Sequence, residues 1–264
     1  MIPKTIHFMW FSGSEYPPFI KKCIDSWHKV MPEYEYRLWD MNAIKDIDSA
    51  FLKEALECKK WAFASDFTRL YALYNYGGIY LDTDVEVYKK FNALLNHKAF
   101  IGRENSHHVA HKIMISHLTS HCMGAKEGHP FIKACLDYYE GRHFIQSQQN
   151  WLPDNLKYDQ TTLPFIQTEI ATLQGYRPAR KYHGIQVFGD DVHVYPYSYF
   201  DCHHRKKETY CKHFAMGSWR SRGNKIQDSK IYSEGRLRGA DMLFNLSSRL
   251  GFMIVKDDKR DLSR

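Results

Sequence analysis

The chain has 264 residues and a mass of 31.3 kDa, enough to bury a full core in one large domain. Hydrophobic residues make up 44% and charged residues 25%, the balance of a soluble globular protein. No stretch of about 18 apolar residues offers a transmembrane span. The formal net charge is +7, and Trp219 to Arg264, with 11 Lys or Arg against 6 Asp or Glu, carries +5 of it. No recognisable nucleic-acid module or basic stripe accompanies that charge, so no nucleic-acid partner is expected.

Lys4 to Phe11 reads as a first buried strand after Pro3. Ser12-Gly13-Ser14 and Pro17-Pro18 make a loop, and Phe19 to Val30 has the apolar spacing of a helix that ends at Pro32. Tyr34 to Trp39 alternates as a second strand. Helix signals return over Ser49 to Cys58 and Trp61 to Tyr76, stopping at Gly77-Gly78. Ile79 to Leu81 is a short apolar strand with Asp82-Thr83-Asp84 at its carboxyl end, and Val85 to Val87 and Ala99 to Gly102 continue as strand. Further on, Gly128-His129-Pro130 turns into a helix over Phe131 to Tyr139, Asn150 to Thr162 reads as loop, and Pro164 to Leu173 as helix. Ile185 to Phe188 and Val192 to Tyr195 are strand-like, and Tyr210 to Trp219 reads as a late strand and loop. This order predicts an α/β fold with a Rossmann-like, mainly parallel central sheet flanked by helices. Ligand sites in such sheets lie at the carboxyl ends of strands, where Trp10 and the Asp82-Asp84 pair both fall.

Two carboxylates two positions apart at a strand end can aim at one hard divalent cation. Alone, an Asp-Thr-Asp tripeptide is a common surface turn. Its surroundings are more specific. Ala64 to Asp84, reading ASDFTRLYALYNYGGIYLDTD, resembles glycosyltransferases with a sugar-binding DXD region. It is most similar to glycosyltransferase family 32, which holds bacterial capsular and lipopolysaccharide transferases and fungal initiating mannosyltransferases. Ile2 to Phe11, Ser26-Trp27, Pro32, Trp39, Gly128-His129-Pro130 and His213 to Trp219 fit the same pattern, so the resemblance spans about residues 2–219.

The resemblance implies a GT-A fold, a nucleotide-sugar donor (a UDP-sugar, or a GDP-sugar), Mn2+ or Mg2+, and retention of anomeric configuration. It assigns Asp66 to donor-sugar hydroxyls and Arg69 to the sugar or diphosphate, where a guanidinium fork suits either. An ion pair on a helix surface is the structural alternative for those two. Asp84 is the expected direct metal ligand, Asp82 a ligand through water or a sugar-side group, and His213 a third contact. Trp10 is a candidate to stack on the nucleobase, with Tyr80, Ser218 and Trp219 completing the donor site. His7 reads as an inward histidine bonded to backbone. This chain has HFAMGSW where the family more often has a shorter HFAGSW-like form, which leaves the atoms that reach the metal open.

Remaining features carry alternatives. Cys202, His203, His204, Cys211 and His213 suggest zinc, but their spacing fits no usual pattern. His107, His108, His111, His117 and His121 stand where the family has a variable, often Asn-rich segment. The six cysteines, with no CxxC pair and no leader before the run Ile6 to Trp10, read as reduced thiols of a cytoplasmic protein. Residues 1–219 are expected to be catalytic. Residues 220–264 are expected to form a basic, partly amphipathic extension that packs on the same domain or touches an anionic membrane face. The implied reaction moves a hexose or N-acetylhexosamine to a glycan or lipid-linked oligosaccharide, as in capsule, exopolysaccharide or lipopolysaccharide synthesis. Rival readings are a protein-modifying, toxin-like transferase and a glycan- or nucleic-acid-binding protein without activity.

Overall fold

The computed structural model describes residues 1–105, 108–110, 113–179, 183–201 and 205–216. The expected roles of Ser218, Trp219 and the 220–264 extension therefore lie outside the described residues. So do Cys202, His203 and His204 of the zinc reading, and the side chains of His107, His108 and His111. The fold that follows is that of the unit Met1–His107 with Ile115–Trp219.

The elements run in chain order as β1 (Thr5–Met9), α1 (Pro18–Val30), β2 (Glu35–Trp39), α2 (Ala50–Glu57), α3 (Trp61–Tyr76), β3 (Gly78–Leu81) and β4 (Val85–Val87). After a 3-10 turn at Phe91–Leu94 come β5 (Ala99–Arg103), the two-stranded pair β6 (His108–Ala110) and β7 (Ile113–Ile115), and β8 (Leu118–Ala125). Then follow α4 (Pro130–Asp137), the single turn α5 (Asp154–Lys157), α6 (Leu163–Leu173), β9 (Gln186–Phe188), β10 (Val192–Tyr195) and β11 (Cys211–His213).

Local chemistry sets several of these boundaries. Proline in the first turn of α1, α4 and α6 occupies a position that needs no N–H. Ser49 caps α2 by accepting from Leu52 N–H, and a ring nitrogen of His129 does the same for Phe131 N–H at the start of α4. On α1 the buried residues Ile20, Cys23, Ile24 and Trp27 recur at helical spacing and form one apolar face.

Seven strands form the central sheet in the order β2-β1-β3-β8-β5-β10-β9. β1 is parallel to β2 and β3, and β10 is parallel to β5. β8 runs antiparallel between β3 and β5, and β9 antiparallel to β10. The fold class is the expected α/β sheet with flanking helices, but the sheet is mixed rather than mainly parallel. The reason is β8, where polar Thr119, Ser120 and His121 interrupt the apolar pattern that marks a strand in sequence. Side chains alternate between the faces. Ile6, Phe8, Ile79 and Leu81 pack with Ile20, Ile24 and Trp27 of α1, and with β4 and β11. Met9, Tyr80, Ile101, Met123 and Val194 pack with α2, α3, α4 and α6 on the other side.

Gly77 and Gly78 join α3 to β3 and are constrained by neighbouring chain. Their φ values are 61° and 103°, both left-handed. A Cβ on Gly78 would lie 2.7 Å from Thr5 O, and one on Gly77 2.7 Å from Glu127 N. They let α3 stop and β3 pair at once with β1, so their first task is packing of backbone against backbone. His7 completes this joint: its Nε2–H donates to Gly77 O at 2.8 Å, and its Nδ1 accepts from Trp39 Nε1 at 3.1 Å. The expected backbone-bonded histidine is confirmed, and the two bonds require the neutral ring.

Candidate active site at the carboxyl edge of the sheet

The register His7↔Tyr80 in β1–β3 and Met9↔Trp39 in β1–β2 brings the carboxyl ends of three parallel strands together. Trp10, Asp40 and Asp82 are the residues that leave them. Asp82 N–H donates to His121 O at 2.9 Å, so the amino-terminal half of β8 is tied to the same edge.

β4 and β11 bring the last component. They form a two-stranded antiparallel ribbon with His213 opposite Val85. Trp27 of α1 donates to Val85 O at 2.6 Å, and Ser26 Oγ accepts from Val87 N–H at 2.9 Å. Ser26 and Trp27 therefore fix β4, and β4 fixes the strand that carries His213. Past it the chain folds over Asp84: Phe214 N–H donates to Asp84 O at 3.2 Å, Ala215 has φ 48°, and Met216 N–H donates to Asp84 Oδ2 at 2.9 Å.

Each aspartate engages the protein through one oxygen and faces His213 with the other. Asp82 Oδ1 accepts from the Tyr80 hydroxyl and lies 3.4 Å from Arg69 Nη1, while Oδ2 is 3.8 Å from His213 Nε2. Asp84 Oδ2 holds Met216, while Oδ1 is 3.4 Å from His213 Nε2. Ligand atoms of Asp82, Asp84 and His213 lie within 4.8 Å of one another. Two carboxylate oxygens and one imidazole nitrogen fit a divalent ion such as Mn2+, which accepts both donor types. Burial would raise Asp84, but His213 and the Met216 N–H outweigh it and hold the carboxyl below its ordinary range. Burial would lower His213, but Asp84 and Asp82 outweigh it and raise the imidazole.

Arg69 is the hub behind the pair. It lies 3.0 Å from Asp66 Oδ1, donates through Nη1 to Ser120 O at 2.7 Å and through Nε to Ser65 O at 3.1 Å, and stacks over Tyr80 with Cζ 4.3 Å from the ring centre. Burial opposes its charge, but Tyr80, Asp82 and Asp66 together raise its pKa. Asp66 Oδ2 accepts from Leu163 N–H, the first residue of α6, at 3.2 Å. Burial nevertheless pushes Asp66 up to about 6 against the pull of Arg69 and that N–H. In this state Asp66 and Arg69 are paired and buried, and Asp66 also links α3 to α6.

Of the expected site residues, Asp66, Arg69, Tyr80, Asp82, Asp84 and His213 form one connected network. Trp10 stands at the end of β1, paired edge-on with Tyr16 at 5.0 Å and donating to Ser14 O at 2.7 Å. Two further residues stand at this edge: His121, named in sequence only as one of a histidine cluster, and Asp201, which sequence reasoning missed. His121 stacks on His213 with ring centres 4.2 Å apart and bonds Phe200 O through Nε2 at 3.1 Å. Asp201 joins His121 and His213 in a second set of clustered ligand atoms. The one available signal was His121 itself, three residues before an apolar Gly-Ala strand end. Asp201 had none, since it lies six residues beyond β10 and only folding brings it to His121 of β8.

The buried groups give stability a definite pH dependence. Burial lowers His7 to about 4 and His121 to about 3. Between pH 6.5, their ordinary value, and about 4, the unfolded chain takes up protons there that the folded chain refuses. Stability falls as pH drops through that window, by about 3 kcal/mol for His7 alone. Asp66 opposes this: its folded pKa of about 6 exceeds the ordinary 3.8, so between those values the folded chain gains a proton and stability. Glu169, which burial pushes up to about 7, acts in the same sense as Asp66. His7→Gln serves both partners without titrating, so it should lose less stability than the parent as pH falls from 6.5 to about 4, read from denaturant midpoints at successive pH values.

Residues 17–101 match the family described as "Glycosyltransferase sugar-binding region containing DXD motif". Over that segment the chain is similar to glycosyltransferases with a DXD sugar-binding region. It is 30% identical over 138 residues to inositol phosphoceramide mannosyltransferase 3 of Schizosaccharomyces pombe, covering 50% of this chain and 35% of that protein. It is 30% identical over 156 residues to mannosyl phosphorylinositol ceramide synthase SUR1 of Saccharomyces cerevisiae, covering 55% of this chain and 37% of that protein. The chain thus spans little more than a third of the length of these relatives. Among solved structures, PaToxG glycosyltransferase aligns with a TM-score of 0.45 and 20% identity, covering 65% of this chain and 69% of that one. The mixed sheet with helices on both faces is consistent with GT-A architecture. The kinship is to DXD transferases broadly, not to capsular or lipopolysaccharide enzymes of family 32 in particular. No described helix is long and apolar enough to cross a membrane.

Proposed function

We propose that this protein is a metal-dependent, retaining glycosyltransferase that moves a hexose or N-acetylhexosamine from a nucleoside diphosphate sugar to a glycan or lipid-linked acceptor. The observation that carries it is the convergence of Asp82, Asp84 and His213 within 4.8 Å at the carboxyl edge of β3, inside and beside the matched DXD region. Those three side chains would hold Mn2+ or Mg2+, and the ion supplies charge neutralisation for the departing diphosphate. The protein supplies the rest. Arg69, fixed by Asp66, Ser120 and Tyr80, presents a rigid cation beside Asp82. A fixed cation of this kind favours the negative charge that builds on the departing diphosphate, without reorganisation. Trp10 offers a ring at the same edge for the nucleobase. The turn over Asp84 limits water access and so restrains donor hydrolysis.

The relatives' names weight the choice of substrate. Two are named for mannosyl transfer to inositol-phosphate-linked ceramide, so a GDP-sugar donor and an anionic lipid acceptor gain on the UDP-sugar and capsular alternatives. Residues 1–219 would carry the chemistry, and the basic 220–264 segment would favour an anionic membrane face from the cytoplasmic side. A screen of UDP- and GDP-sugars for donor turnover, with and without Mn2+, tests the reading. One donor should be consumed only with metal. A folded protein that neither binds nor consumes any donor would overturn it.

A further inference from the structure

A second group of ligating side chains lies at the opposite edge of the sheet. β3, β5 and β10 run in one direction, so residues at the start of β5 and β10 are a strand length away from Asp82. His97 precedes β5 by two residues, Asp191 immediately precedes β10, and His193 is its second residue. Ligand atoms of all three come within 4.8 Å of one another. The two imidazoles stack with centres 3.7 Å apart and an interplanar angle of 21°. His193 Nε2 lies 2.8 Å from Asp191 Oδ1.

We propose that His97, Asp191 and His193 form a transition-metal site, distinct from the sugar-transfer site and independent of that reading. Two imidazoles and one carboxylate are the donor set of Zn2+ and its neighbours rather than of Mg2+ or Ca2+. Two of the three ligands are also steered from behind, as metal ligands usually are. The Tyr195 hydroxyl lies 2.8 Å from His97 Nε2, which leaves Nδ1 for the metal. Lys98 N–H donates to Asp191 Oδ2 at 3.0 Å, which leaves Oδ1. Asp191 is held at φ 62°, an uncommon conformation for a residue other than glycine, and it turns the carboxylate back over β10. All three side chains are partly exposed, so an ion has access from solvent. A bound ion would pin the connection into β5 to the edge hairpin β9–β10, acting as a clip.

The test uses the full chain stripped with a chelator and titrated with Zn2+ alone. Asp84→Asn serves as background. His213 belongs to both ligand sets at the sugar-transfer edge, so this background also carries His213→Gln, and binding there does not count. In that background Zn2+ should bind at one equivalent and raise the melting temperature. His193→Gln or Asp191→Asn added to it should weaken binding at least tenfold while leaving the metal-free melting temperature close to its parent. If either variant fails to fold, Co2+ bound in the same background gives the second reading. Its absorption should show the strong bands of a low-coordinate site with imidazole ligands. Absence of Zn2+ binding in that background overturns the proposal, as does unchanged affinity in His193→Gln or a Co2+ spectrum of a fully hydrated ion.

Discussion

Asp84→Asn is expected to remove metal-dependent sugar transfer almost completely while leaving the fold in place. The substitution keeps the shape of the side chain and an oxygen that can accept from Met216 N–H, now 2.9 Å from Oδ2. The backbone bond from Phe214 N–H to Asp84 O does not involve the side chain at all. What is lost is one negative charge, and with it a ligand whose other oxygen faces His213 at 3.4 Å. Asp82 cannot replace it, because its charge is shared with Arg69 and one of its oxygens is taken by Tyr80. Loss of several kcal/mol of charge stabilisation lowers kcat/KM by about a thousandfold. Steady-state kinetics with the active donor, run beside thermal melting, checks both halves. Metal-dependent turnover within tenfold of the parent, in a folded variant, would refute Asp84 as the metal ligand.

The parts of this site that sequence reveals are the parts that are continuous in sequence. Asp66, Arg69, Tyr80, Asp82 and Asp84 lie within one helix, one turn and one strand, so a helix period followed by a short apolar run places them on adjacent elements. His213 was legible as part of a late motif. Its position beside Asp84 depends on the β4–β11 ribbon and on Ser26 and Trp27 holding β4, which no local pattern encodes. Strand β8 was not legible because Thr119, Ser120 and His121 break its apolar alternation, in the half of the strand whose carbonyls at Ser120 and His121 hold Arg69 and Asp82. Its absence from the reading also made the sheet look mainly parallel. Gly77-Gly78 was correctly read as a break, but the demand for glycine there comes from Thr5 O and Glu127 N, far away in the chain.

Arg69→Met should cost more stability than any other single change at the site. Arg69 is 4% exposed, and its guanidinium stands between Asp66 and Asp82. Its removal leaves the buried Asp66 carboxylate and the partly buried Asp82 carboxylate without their shared cation and takes a donor from Ser120 O. Breaking a buried ion pair in this way costs about 3–5 kcal/mol. For a domain of this size that is a fall in melting temperature on the order of 10 °C. Arg69→Lys should recover only part, since one ammonium cannot reach Asp66, Asp82 and Ser120 O as a planar fork does. The state of Asp66 makes the prediction sharper. Burial already pushes its pKa up to about 6, so its proton is held only weakly away at neutral pH. Asp66→Asn should therefore be mild by itself, apart from the lost pairing with Arg69. Combined with Arg69→Met it should restore stability relative to Arg69→Met alone, because the uncompensated charge disappears with it. A double-mutant cycle read by urea unfolding measures that coupling. Additive losses would mean that Asp66 and Arg69 do not act as a pair, and that Arg69 is held by Asp82, Tyr80 and Ser120 alone.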